Sequence, residues 1–417
     1  MLVIYRTLIN IVFILSPLII VYRIFKKKED PNRFWEKFCF FSDKKNDGNL
    51  VWFHGASVGE IQSIVPLLEK IEKNKKIKKI LITSNTLSSS KIVKKLKLKK
   101  IVHQFFPIDT NFHSKKFLEY WKPTCSFFID SEIWPNMILN LKKKEVPIIL
   151  LNGRITKKTF KKWKIFSNFA RKIFGIFDLC LSSSIESKKY LNNLGAKKVK
   201  YIGNLKFSQS EKKESQISKN LKQIIKSKKT WCASSTHNNE EQICGNVHMQ
   251  LKKKYKDLLT IIIPRHTHRV DNIEDELKKL KLVSCRLSSN QNMSRKTDIL
   301  IVDSYGKTKS FYHSCKNVFL GGSLINHGGQ NPLEAARYGC NILHGPNVFN
   351  FKEIYKFLKI NKMSIEVNNQ KKMIYNLNNY FKKKASSKKI QKKLNLIGKK
   401  ILSSTHNEIN QFLNNEI

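Results

Sequence analysis

From about residue 50 onward, short apolar runs alternate with amphipathic stretches, and this alternation restricts the fold more than any other feature of the sequence. The runs are continuously apolar and rich in β-branched or aromatic residues, which is typical of buried parallel strands. After the first run, apolar residues recur at helical spacing from Ile61 to Ile71. Strands that alternate with helices predict parallel sheets covered on both faces. The strand candidates of the first half are Leu50–Phe53, Ile80–Thr83, Ile101–Phe106, Cys125–Ile129, Val146–Leu151 and Leu179–Ser182.

The polar segment Ser208–Lys219 interrupts this alternation, which then restarts in a second half. Two such halves predict two doubly wound α/β domains, with ligands in the cleft at the carboxyl ends of the strands. The strand candidates of the second half are Thr230–Ala233, Leu258–Ile263, Leu282–Arg286, Ile299–Val302, Val318–Leu320 and Asn341–Leu343. The predicted divisions are a membrane anchor at 1–25, an N-terminal domain at 26–207, a linker at 208–222, a C-terminal domain at 223–395 and a C-terminal helix at 396–417.

The charge balance is extreme, because 79 Lys and Arg stand against 31 Asp and Glu, a formal net charge of +48 over 417 residues. Such an excess predicts an anionic partner, which can be nucleic acid, a membrane surface or a phosphorylated substrate. The lysines are scattered, however, and accompany abundant Asn and Ile, as the codon bias of an AT-rich genome produces. Most of the charge is therefore expected on solvated faces, and only a minority at a binding site.

The cysteines and histidines predict neither disulfides nor a metal site. The eight cysteines form no C-x-x-C pair, and several lie in apolar runs, so buried free thiols in a reducing compartment are expected. The eleven histidines show no H-E-x-x-H pattern. The closest pair, His266 and His268, is two residues apart, which is poor spacing for two ligands on one helix.

The amino terminus predicts a membrane segment, because residues 7–22 are uncharged and strongly apolar. Arg6 precedes the segment, while Arg23 and the run Lys26–Lys28 follow it. The segment is shorter than the roughly 20 residues of a comfortable spanning helix. A signal peptide and an anchor that only inserts into the membrane surface are the alternatives. The positive cluster on the carboxyl side predicts that the rest of the chain is cytoplasmic.

The first motif is the run VWFHGASVGE at Val51–Glu60, where a strand leads through a glycine-containing turn into a helix. Its G-x-S-x-G core matches the nucleophile elbow of hydrolases, with Ser57 as the nucleophile. Against this, the motif follows the very first strand, and a hydrolase needs no second α/β half. Glu60 is the better candidate, since an ionised carboxylate at a helix start can take a proton from a substrate hydroxyl. A simple helix-start role for Glu60 is about equally compatible with the sequence.

Three further motifs also follow predicted strands. The run IDSEIWPN brings Asp130 and Glu132 to a strand end, and both point to the same side if the chain is extended. In GNLKF, Lys206 could steady a phosphate or a developing anion, although most lysines of this chain are expected to be solvated. In IIIPRH, a buried strand leads to Arg265, and Arg is a better phosphate ligand than a single Lys.

The fifth and most specific motif is glycine-rich. A strand ends in Gly321, Gly322 and Ser323, and a second glycine pair leads into a helix with Pro332 at its first position. Such a loop offers backbone N–H groups to a phosphate. Glu334, one turn into the helix, could accept hydrogen bonds from ribose hydroxyls. The combination predicts a nucleotide-sugar site.

Together these motifs resemble the 3-deoxy-D-manno-octulosonate (Kdo) transferases of Gram-negative lipid A assembly. The strings H-x-A-S-V-G-E, E-x-W-P-N, G-N-L-K-F, S-T-H-x-x-E-E, P-R-H and G-G-S-L…G-G-x-N-P-L-E occur in the family's order. The resemblance implies a GT-B glycosyltransferase with two Rossmann-like domains that face a cleft. It further implies a single N-terminal anchor in the inner membrane, with both domains on the cytoplasmic side next to an anionic membrane surface.

The resemblance also implies a reaction and a set of residues. Kdo would pass from CMP-Kdo, a donor substrate rather than a resident cofactor, to a tetraacylated lipid A precursor. Glu60 would be the catalytic base, and Glu132 and Lys206 would assist the transition state. The residues that the resemblance implies for CMP binding are Pro264, Arg265, Tyr305, Gly306, Lys307, Asn331, Pro332, Leu333 and Glu334. The glycine-rich motif adds Gly322 and Ser323, because Arg265 and the backbone N–H groups around Gly322–Ser323 and Gly329–Asn331 are expected to stabilise the departing phosphate. No metal and no nucleic acid are expected.

Two positions depart from the family's pattern. Lys307 stands where the family usually has Glu, and the loop Ile325–His327 lacks the Arg that is common there. A serine hydrolase and a basic nucleic-acid-binding protein stand as alternatives to the transferase. A nucleic-acid binder predicts Lys and Arg clustered on one face with aromatic platforms, whereas the lysines here are dispersed.

Overall fold

The computed structural model describes residues 1–43, 48–209, 217–289, 293–294, 296–382 and 387–416. The chain divides into two compact units. Unit 1 comprises Met1–Ser210 and Ile397–Ile417, and unit 2 comprises Glu211–Leu396. Residues 210–216 of the predicted linker lie outside the described residues, and the first helix of unit 2 begins at Lys219.

Unit 1 is a parallel sheet of seven strands with helices between them. Its helices are α1 (Leu2–Phe25), α2 (Val58–Ile71), α3 (Leu87–Lys94), α4 (Asn111–Trp121), α5 (Pro135–Lys143), α6 (Lys157–Ile165), α7 (Ser167–Phe174) and α8 (Ile185–Asn193). Its strands are β1 (Leu50–His54), β2 (Lys79–Ser84), β3 (Ile101–Phe105), β4 (Cys125–Ile129), β5 (Ile148–Gly153), β6 (Leu179–Ser182) and β7 (Val199–Tyr201). The strand order is β3-β2-β1-β4-β5-β6-β7, so the order reverses between β1 and β4.

Unit 2 repeats the design with a second seven-stranded parallel sheet. Its strands are β8 (Lys229–Thr236), β9 (Leu258–Pro264), β10 (Ser284–Arg286), β11 (Ile299–Ile301), β12 (Asn317–Leu320), β13 (Asn341–His344) and β14 (Ser364–Glu366). Its helices are α9 (Lys219–Ser227), α10 (Glu240–Lys252), α11 (Val270–Lys279), α12 (Thr308–Ser314), α13 (Leu333–Arg337), α14 (Lys352–Ile360), α15 (Gln370–Lys382) and α16 (Ser387–Glu416), the last of which contributes its residues from Ile397 onward to unit 1. The order β10-β11-β9-β8-β12-β13-β14 reverses between β8 and β12.

The central strands are buried on both faces, which explains their unbroken apolar sequences. In β1, Trp52 and Phe53 are both fully buried but belong to different core clusters, because successive strand side chains point to opposite faces. Phe53 stacks on Phe127 of the neighbouring strand with ring centroids 4.4 Å apart. The carboxyl-terminal part of α16 covers one of these faces, since Ile409 and Leu413 belong to the same cluster as Phe53. The α/β fold class with two doubly wound units is thereby confirmed.

Each of the strands expected from the sequence is present, and two further strands lie at the sheet edges. These are β7 and β14, whose last two residues are exposed in both cases. An edge strand is covered less completely, so it lacks the continuous apolar run that identifies a central strand.

Local capping places the helix starts at the carboxyl edge of the unit 1 sheet. Several helices that follow strands begin after a Ser or Thr whose side chain accepts an N–H of the first turn. The capping residues are Ser57, Thr86, Thr110, Thr156 and Ser184. Because the strands are parallel, the loops between strand ends and these caps all lie along one edge, where a ligand site is expected.

Candidate active site

In unit 1, the candidate residues gather where the strand order reverses. Glu60 follows β1 and Glu132 follows β4, and these two strands pair in parallel with Val51 opposite Cys125. Lys206 lies in a short 3₁₀ turn, Leu205–Ser208, that follows β7. The structure therefore brings all three predicted catalytic residues to the carboxyl edge of one sheet, next to its topological switch point.

Glu60 occupies the third position of α2 and forms a capping box with Ser57. Its Oε2 accepts the Ser57 N–H at 3.2 Å, and its own N–H donates to Ser57 Oγ at 3.4 Å. Burial raises the pKa of Glu60, and the negative charges of Asp130 and Glu132 add to the shift, which brings the pKa to about 7. The two readings of the sequence thus coexist: Glu60 caps its helix, and it is also a carboxyl group that titrates near neutral pH, as a general base requires.

Glu132 has a different environment, although it lies at the same edge. Its Oε2 accepts Trp134 Nε1–H at 2.9 Å and lies 3.3 Å from His54 Nε2. Burial by itself would raise the pKa of Glu132, but the hydrogen bonds and the charge of His54 lower it below its ordinary value. Glu132 is therefore an ionised, oriented carboxylate at neutral pH and not a proton acceptor.

Asp130 binds Lys206, the third of the predicted catalytic residues. Lys206 Nζ donates to Asp130 Oδ2 at 3.1 Å, and Asn152 donates to the other carboxylate oxygen. Asp130 has a left-handed backbone with φ of 56°, so the chain turns there and is not extended. Asp130 and Glu132 consequently take different partners, and the Lys206 ammonium is committed to an ion pair that is largely buried on both sides.

The predicted hydrolase nucleophile is in an ordinary cap position. Ser57 has φ of −115° and ψ of 161°, the usual extended backbone of an N-cap residue, whereas a nucleophile elbow is a sharp, strained turn. Its Oγ accepts the Glu60 N–H instead of contacting a histidine base among the described residues. Its geometry favours a helix-capping role over nucleophilic attack.

In unit 2, Glu240 organises the glycine-rich loop at the second reversal of strand order. This carboxylate is fully buried in the first turn of α10, which follows β8. It accepts backbone N–H groups from Gly322 at 2.7 Å, Ser323 at 3.1 Å and Leu324 at 3.0 Å. The N–H groups of Gly322 and Ser323, expected to hold a phosphate, are thus occupied by a side chain of the protein. A phosphate cannot accept these two N–H groups while Glu240 holds them. The sequence gives no sign that Glu240 reaches across to the loop after β12.

Gly321 and Gly322 explain why the loop after β12 begins with glycines. A Cβ on Gly321 would lie 2.5 Å from the Ser235 carbonyl oxygen, so β12 and the end of β8 could not approach as closely with any other residue. Gly322 has φ of +66°, a left-handed conformation that disfavours a side chain. Both glycines therefore serve the close packing at the strand reversal.

A cluster of cationic and imidazole side chains surrounds this loop. Arg265 follows the buried Pro264 at the end of β9, and its side chain is exposed. The His237 ring lies 4.1 Å from that of His327 and 5.8 Å from that of His266, centroid to centroid. Burial and then the neighbouring positive charges lower the pKa of His237 to about 4. Burial, together with the neighbouring Arg265 and Arg269, keeps His237 neutral. The same two guanidinium groups make this edge of unit 2 suited to an anionic ligand.

The remaining predicted residues lie along the same sheet edge. Tyr305 is exposed, Gly306 is left-handed with φ of 81°, and Lys307 precedes α12, all after β11. Asn331 accepts the Leu333 N–H at 3.1 Å, which shapes the start of α13. The helix begins at Leu333, so Pro332 is its N-cap and not its first residue, with Glu334 in the first turn. Among the described residues, no group of three or more His, Cys, Asp or Glu side chains could hold a metal ion.

Sequence reasoning missed the roles of three side chains that shape these edges. His54 and Asp130 lie inside motifs that had been recognised, and Glu240 lies in the string S-T-H-x-x-E-E. Their positions at or soon after strand ends were the available signal. Their roles depend on partners far along the chain, such as Glu132 for His54 and Gly322 for Glu240.

Comparison with known proteins agrees with the motifs. Residues 32–209 match the family described as 3-deoxy-D-manno-octulosonic-acid transferase (kdotransferase). A 3-deoxy-D-manno-octulosonic acid transferase of Rickettsia bellii is 33% identical over 87% of this chain and 87% of its own length. The chain belongs to the Kdo transferase family. The transferase of the same name from Haemophilus influenzae is 30% identical over 76% of this chain and 75% of its own length.

Solved structures confirm the architecture. A UDP-N-acetylglucosamine 2-epimerase superimposes with a TM-score of 0.60 over 88% of this chain and 97% of that chain, at 10% identity. At this identity the likeness shows the fold alone, that of a two-domain GT-B-like protein. As a Kdo transferase the chain is a glycosyltransferase of lipopolysaccharide biosynthesis, and the family resemblance drawn from the motifs is confirmed. This membership favours the transferase over a serine hydrolase or a nucleic-acid binder.

Proposed function

We propose that this Kdo transferase moves Kdo from CMP-Kdo to a hydroxyl of a lipid A precursor by an inverting displacement in which Glu60 is the general base. The observation that carries the proposal is the environment of Glu60, a carboxyl group at the switch point of unit 1 whose pKa is raised to about 7. A base with a pKa near the working pH is ionised often enough to accept a proton and basic enough to take it.

The proposed step balances as follows. The acceptor hydroxyl oxygen forms a bond to the anomeric carbon of Kdo while its proton passes to a carboxylate oxygen of Glu60. The bond between that carbon and the CMP phosphate oxygen breaks, and CMP leaves as an anion with the electron pair. Attack on the side opposite the leaving group inverts the anomeric configuration. Neither a metal nor a resident cofactor is part of the step.

Glu132 and Lys206 are each proposed to assist this step, and each is held in place by its hydrogen-bond or ion-pair partners. Glu132 is ionised and oriented by His54 and Trp134, so it can steady positive charge that develops on the sugar ring. Lys206 pairs with Asp130. We assign Lys206 the role of holding the Asp130 carboxylate, whose negative charge in turn helps to raise the pKa of Glu60.

Unit 2 is proposed to bind the CMP moiety of the donor. Arg265 is an exposed guanidinium at a strand end, and the positive surroundings of His237 favour a phosphate there. The turn Tyr305–Lys307 and the segment Asn331–Glu334 complete the proposed contacts with the nucleoside. Since Gly322 and Ser323 donate their N–H groups to Glu240, their part is to shape the loop.

The family and the sign of the charge support a proposed acceptor and a proposed location. The proposed acceptor is a tetraacylated disaccharide bisphosphate, and the proposed cellular location is the cytoplasmic face of the inner membrane. A net charge of +48 has the sign expected for a protein that works next to anionic lipids. The size of the charge exceeds what this function requires, and most of the lysines are dispersed.

The decisive experiment replaces the base. Glu60→Gln keeps an oxygen that can accept the Ser57 N–H, so α2 remains capped, but the amide cannot take a proton. We expect a loss of transfer on the order of 10²–10⁴-fold, measured by mass spectrometry of the lipid product after incubation with CMP-Kdo and precursor. CMP affinity, measured by calorimetry, should stay unchanged.

Two controls make the result specific. Glu119→Gln alters a carboxylate of unit 1 whose side chain is 64% exposed, and it should leave transfer intact. Ser57→Ala removes a helix cap and should reduce stability by about 1 kcal/mol with a modest effect on rate, whereas a serine hydrolase would lose all activity. Near-normal transfer by Glu60→Gln would show that another group is the base.

A further inference from the structure

Helix α1 has two faces with opposite environments. It is long and apolar enough to cross a membrane, yet only 11% of its most apolar window is buried against the protein. A stripe that includes Tyr5, Arg6, Phe13, Ser16 and Ile20 faces the rest of unit 1, and the last two are buried. The opposite face is exposed and apolar. It consists of Val3, Ile4, Leu8, Ile11, Val12, Ile14, Leu15, Leu18, Ile19, Val21, Tyr22 and Phe25.

The amino-terminal end of α1 is tied to unit 1 by polar contacts. Tyr5 donates its hydroxyl to Asp109 Oδ2 at 2.7 Å, and Asp109 is fully buried. Arg6 donates to the side-chain oxygens of Asn136 at 2.9 Å and Asn111 at 3.2 Å. These partners lie at the starts of α4 and α5. The amino-terminal end of α1 is therefore held against two helices of unit 1.

The middle and the far end of α1 also meet unit 1. The Phe13 ring lies 4.8 Å from that of His113 and 5.9 Å from that of Phe38, centroid to centroid. Ile20 is only 4% exposed. Beyond it, Arg23 pairs with the buried Glu29 at 3.0 Å. Contact therefore continues from Tyr5 to Ile20, a length of roughly 22 Å at about 1.5 Å per residue.

This continuous contact is incompatible with a helix that crosses the bilayer. The hydrocarbon core is roughly 30 Å thick, so a crossing helix would leave unit 1 on one side and carry Tyr5 or Ile20 deep into lipid. Unit 1 cannot follow, because its polar surface and charged residues would lose their hydration. A helix that keeps both ends on the same folded unit must instead lie along that unit.

We propose that α1 lies in the plane of the membrane surface, with its exposed apolar face seated in one leaflet and its opposite face docked on unit 1. The lipid leaflet fits this face because Lys26, Lys27 and Lys28 follow directly and attract anionic headgroups. Exposed aromatic rings of nearby elements are also typical of a membrane–water interface. They are Trp35, Phe40 and Phe112, which are 54%, 58% and 66% exposed.

This placement deepens the membrane location proposed above and has a consequence for topology. The amino terminus stays on the same side of the membrane as both units, whereas a spanning helix would put it on the opposite side. The contacts of α1 with the rest of unit 1 then set the orientation of the protein on the membrane. The basic run Lys26–Lys28 adds attraction to the lipid surface.

Four positions seven residues apart on the exposed face provide the test: Ile4, Ile11, Leu18 and Phe25, which are 55%, 48%, 72% and 82% exposed. Each is changed to Cys and spin-labelled in a Cys285→Ser background, since seven of the eight cysteines are buried. Immersion depth is measured by power saturation with oxygen and a nickel chelate in phosphatidylethanolamine–phosphatidylglycerol vesicles. The in-plane helix gives four similar, shallow depths. A profile that is deep at Ile11 and Leu18 and shallow at both ends overturns the proposal.

The same labels separate the remaining outcomes. Four labels that stay in water, or that broaden through contact with a second copy of the chain, would also overturn a lipid-seated face. A second measurement tests docking in the membrane-bound enzyme: the pair Phe13→Cys and Phe38→Cys, whose native rings are in contact, should be joined by a short bis-maleimide crosslinker, whereas Leu18→Cys with Phe38→Cys should not. Absence of the first link in vesicles contradicts docking. Neither readout uses CMP-Kdo, so failure here leaves the proposed transfer reaction untouched, and loss of transfer in Glu60→Gln says nothing about α1.

Discussion

At the scale of single residues, two glutamates at one sheet edge have opposite properties because their partners differ. Glu60 is buried beside negative charges, and its pKa rises to about 7. Glu132 is equally enclosed, but His54 and Trp134 stabilise its ionised form, and its pKa falls. Groups whose environments push their pKa values apart are the usual sign of divided roles in catalysis. Here Glu60 suits proton transfer, and Glu132 suits electrostatic support.

The Asp130→Asn substitution tests the charge effect on Glu60. Transfer requires ionised Glu60, so the rate should rise with pH up to its pKa. The negative charge of Asp130 raises that pKa, and its removal should move the acidic limb of the pH profile to lower pH. The profile of kcat/KM between about pH 5 and 8.5 measures this. Glu119→Gln should leave the limb in place, and an upward shift in Asp130→Asn would contradict the assignment.

At the scale of elements, hydrogen bonds join the start of α10 to the loop after β12. Glu240 accepts three consecutive loop N–H groups as well as the His237 N–H at 3.0 Å. A buried carboxylate is costly unless it is hydrogen-bonded in this way. The result is a hydrogen-bonded junction between the start of α10, with His237, and the loop after β12 at the carboxyl edge of unit 2.

The Glu240→Gln substitution should loosen this junction. Its amide presents an N–H₂ group to loop donors, so part of the hydrogen bonding is lost, with an expected stability cost of roughly 1–3 kcal/mol and weaker CMP binding. Hydrogen exchange at residues 322–324, together with chemical unfolding, checks the loss. Asp275→Asn removes an exposed carboxylate of the same unit and should change neither quantity. Unaltered amide protection in Glu240→Gln would be inconsistent with the pinning role.

At the scale of the whole molecule, the membrane location that we propose would depend on two different attractions. The net charge of +48 acts on anionic lipids at long range and is screened by salt. The apolar face of α1 acts through burial and is insensitive to screening. The two contributions can therefore be separated by ionic strength.

Sedimentation with anionic vesicles makes that separation. Wild-type protein should bind less as salt rises but retain a salt-resistant fraction. The triple variant Ile4→Ser, Ile11→Ser and Leu18→Ser should lose that fraction and release fully at about 1 M salt, where the screening length is roughly 3 Å. Its matched control is Ile165→Ser, Ile185→Ser and Ile360→Ser, which changes three exposed isoleucines outside α1. Equal salt-resistant binding by both variants would exclude α1 as the apolar contact.

Much of the fold could be predicted because it depends on local pattern. Continuous apolar runs identified the central strands. The short edge strands β7 and β14 were not predicted, because their exposed residues interrupt the apolar pattern. The motifs correctly placed Glu60, Glu132 and Arg265 after strand ends. They could not show that Lys206 is paired with Asp130, 76 residues earlier, or that Glu240 occupies the N–H groups of a loop 82 residues later.

The sequence by itself determined the alternation of elements, the two doubly wound units and the edges at which the chemistry-bearing residues gather, because periodicity and strand direction are local properties. Only the tertiary structure decided which of these residues are already engaged, why the pKa of Glu60 is near neutral, and which face of α1 is docked. Those properties depend on burial and on distances between residues far apart in the chain. The sequence alone leaves open whether this apolar helix spans the membrane or only inserts into its surface, and its contacts with Asp109 and His113 favour the in-plane placement that we propose.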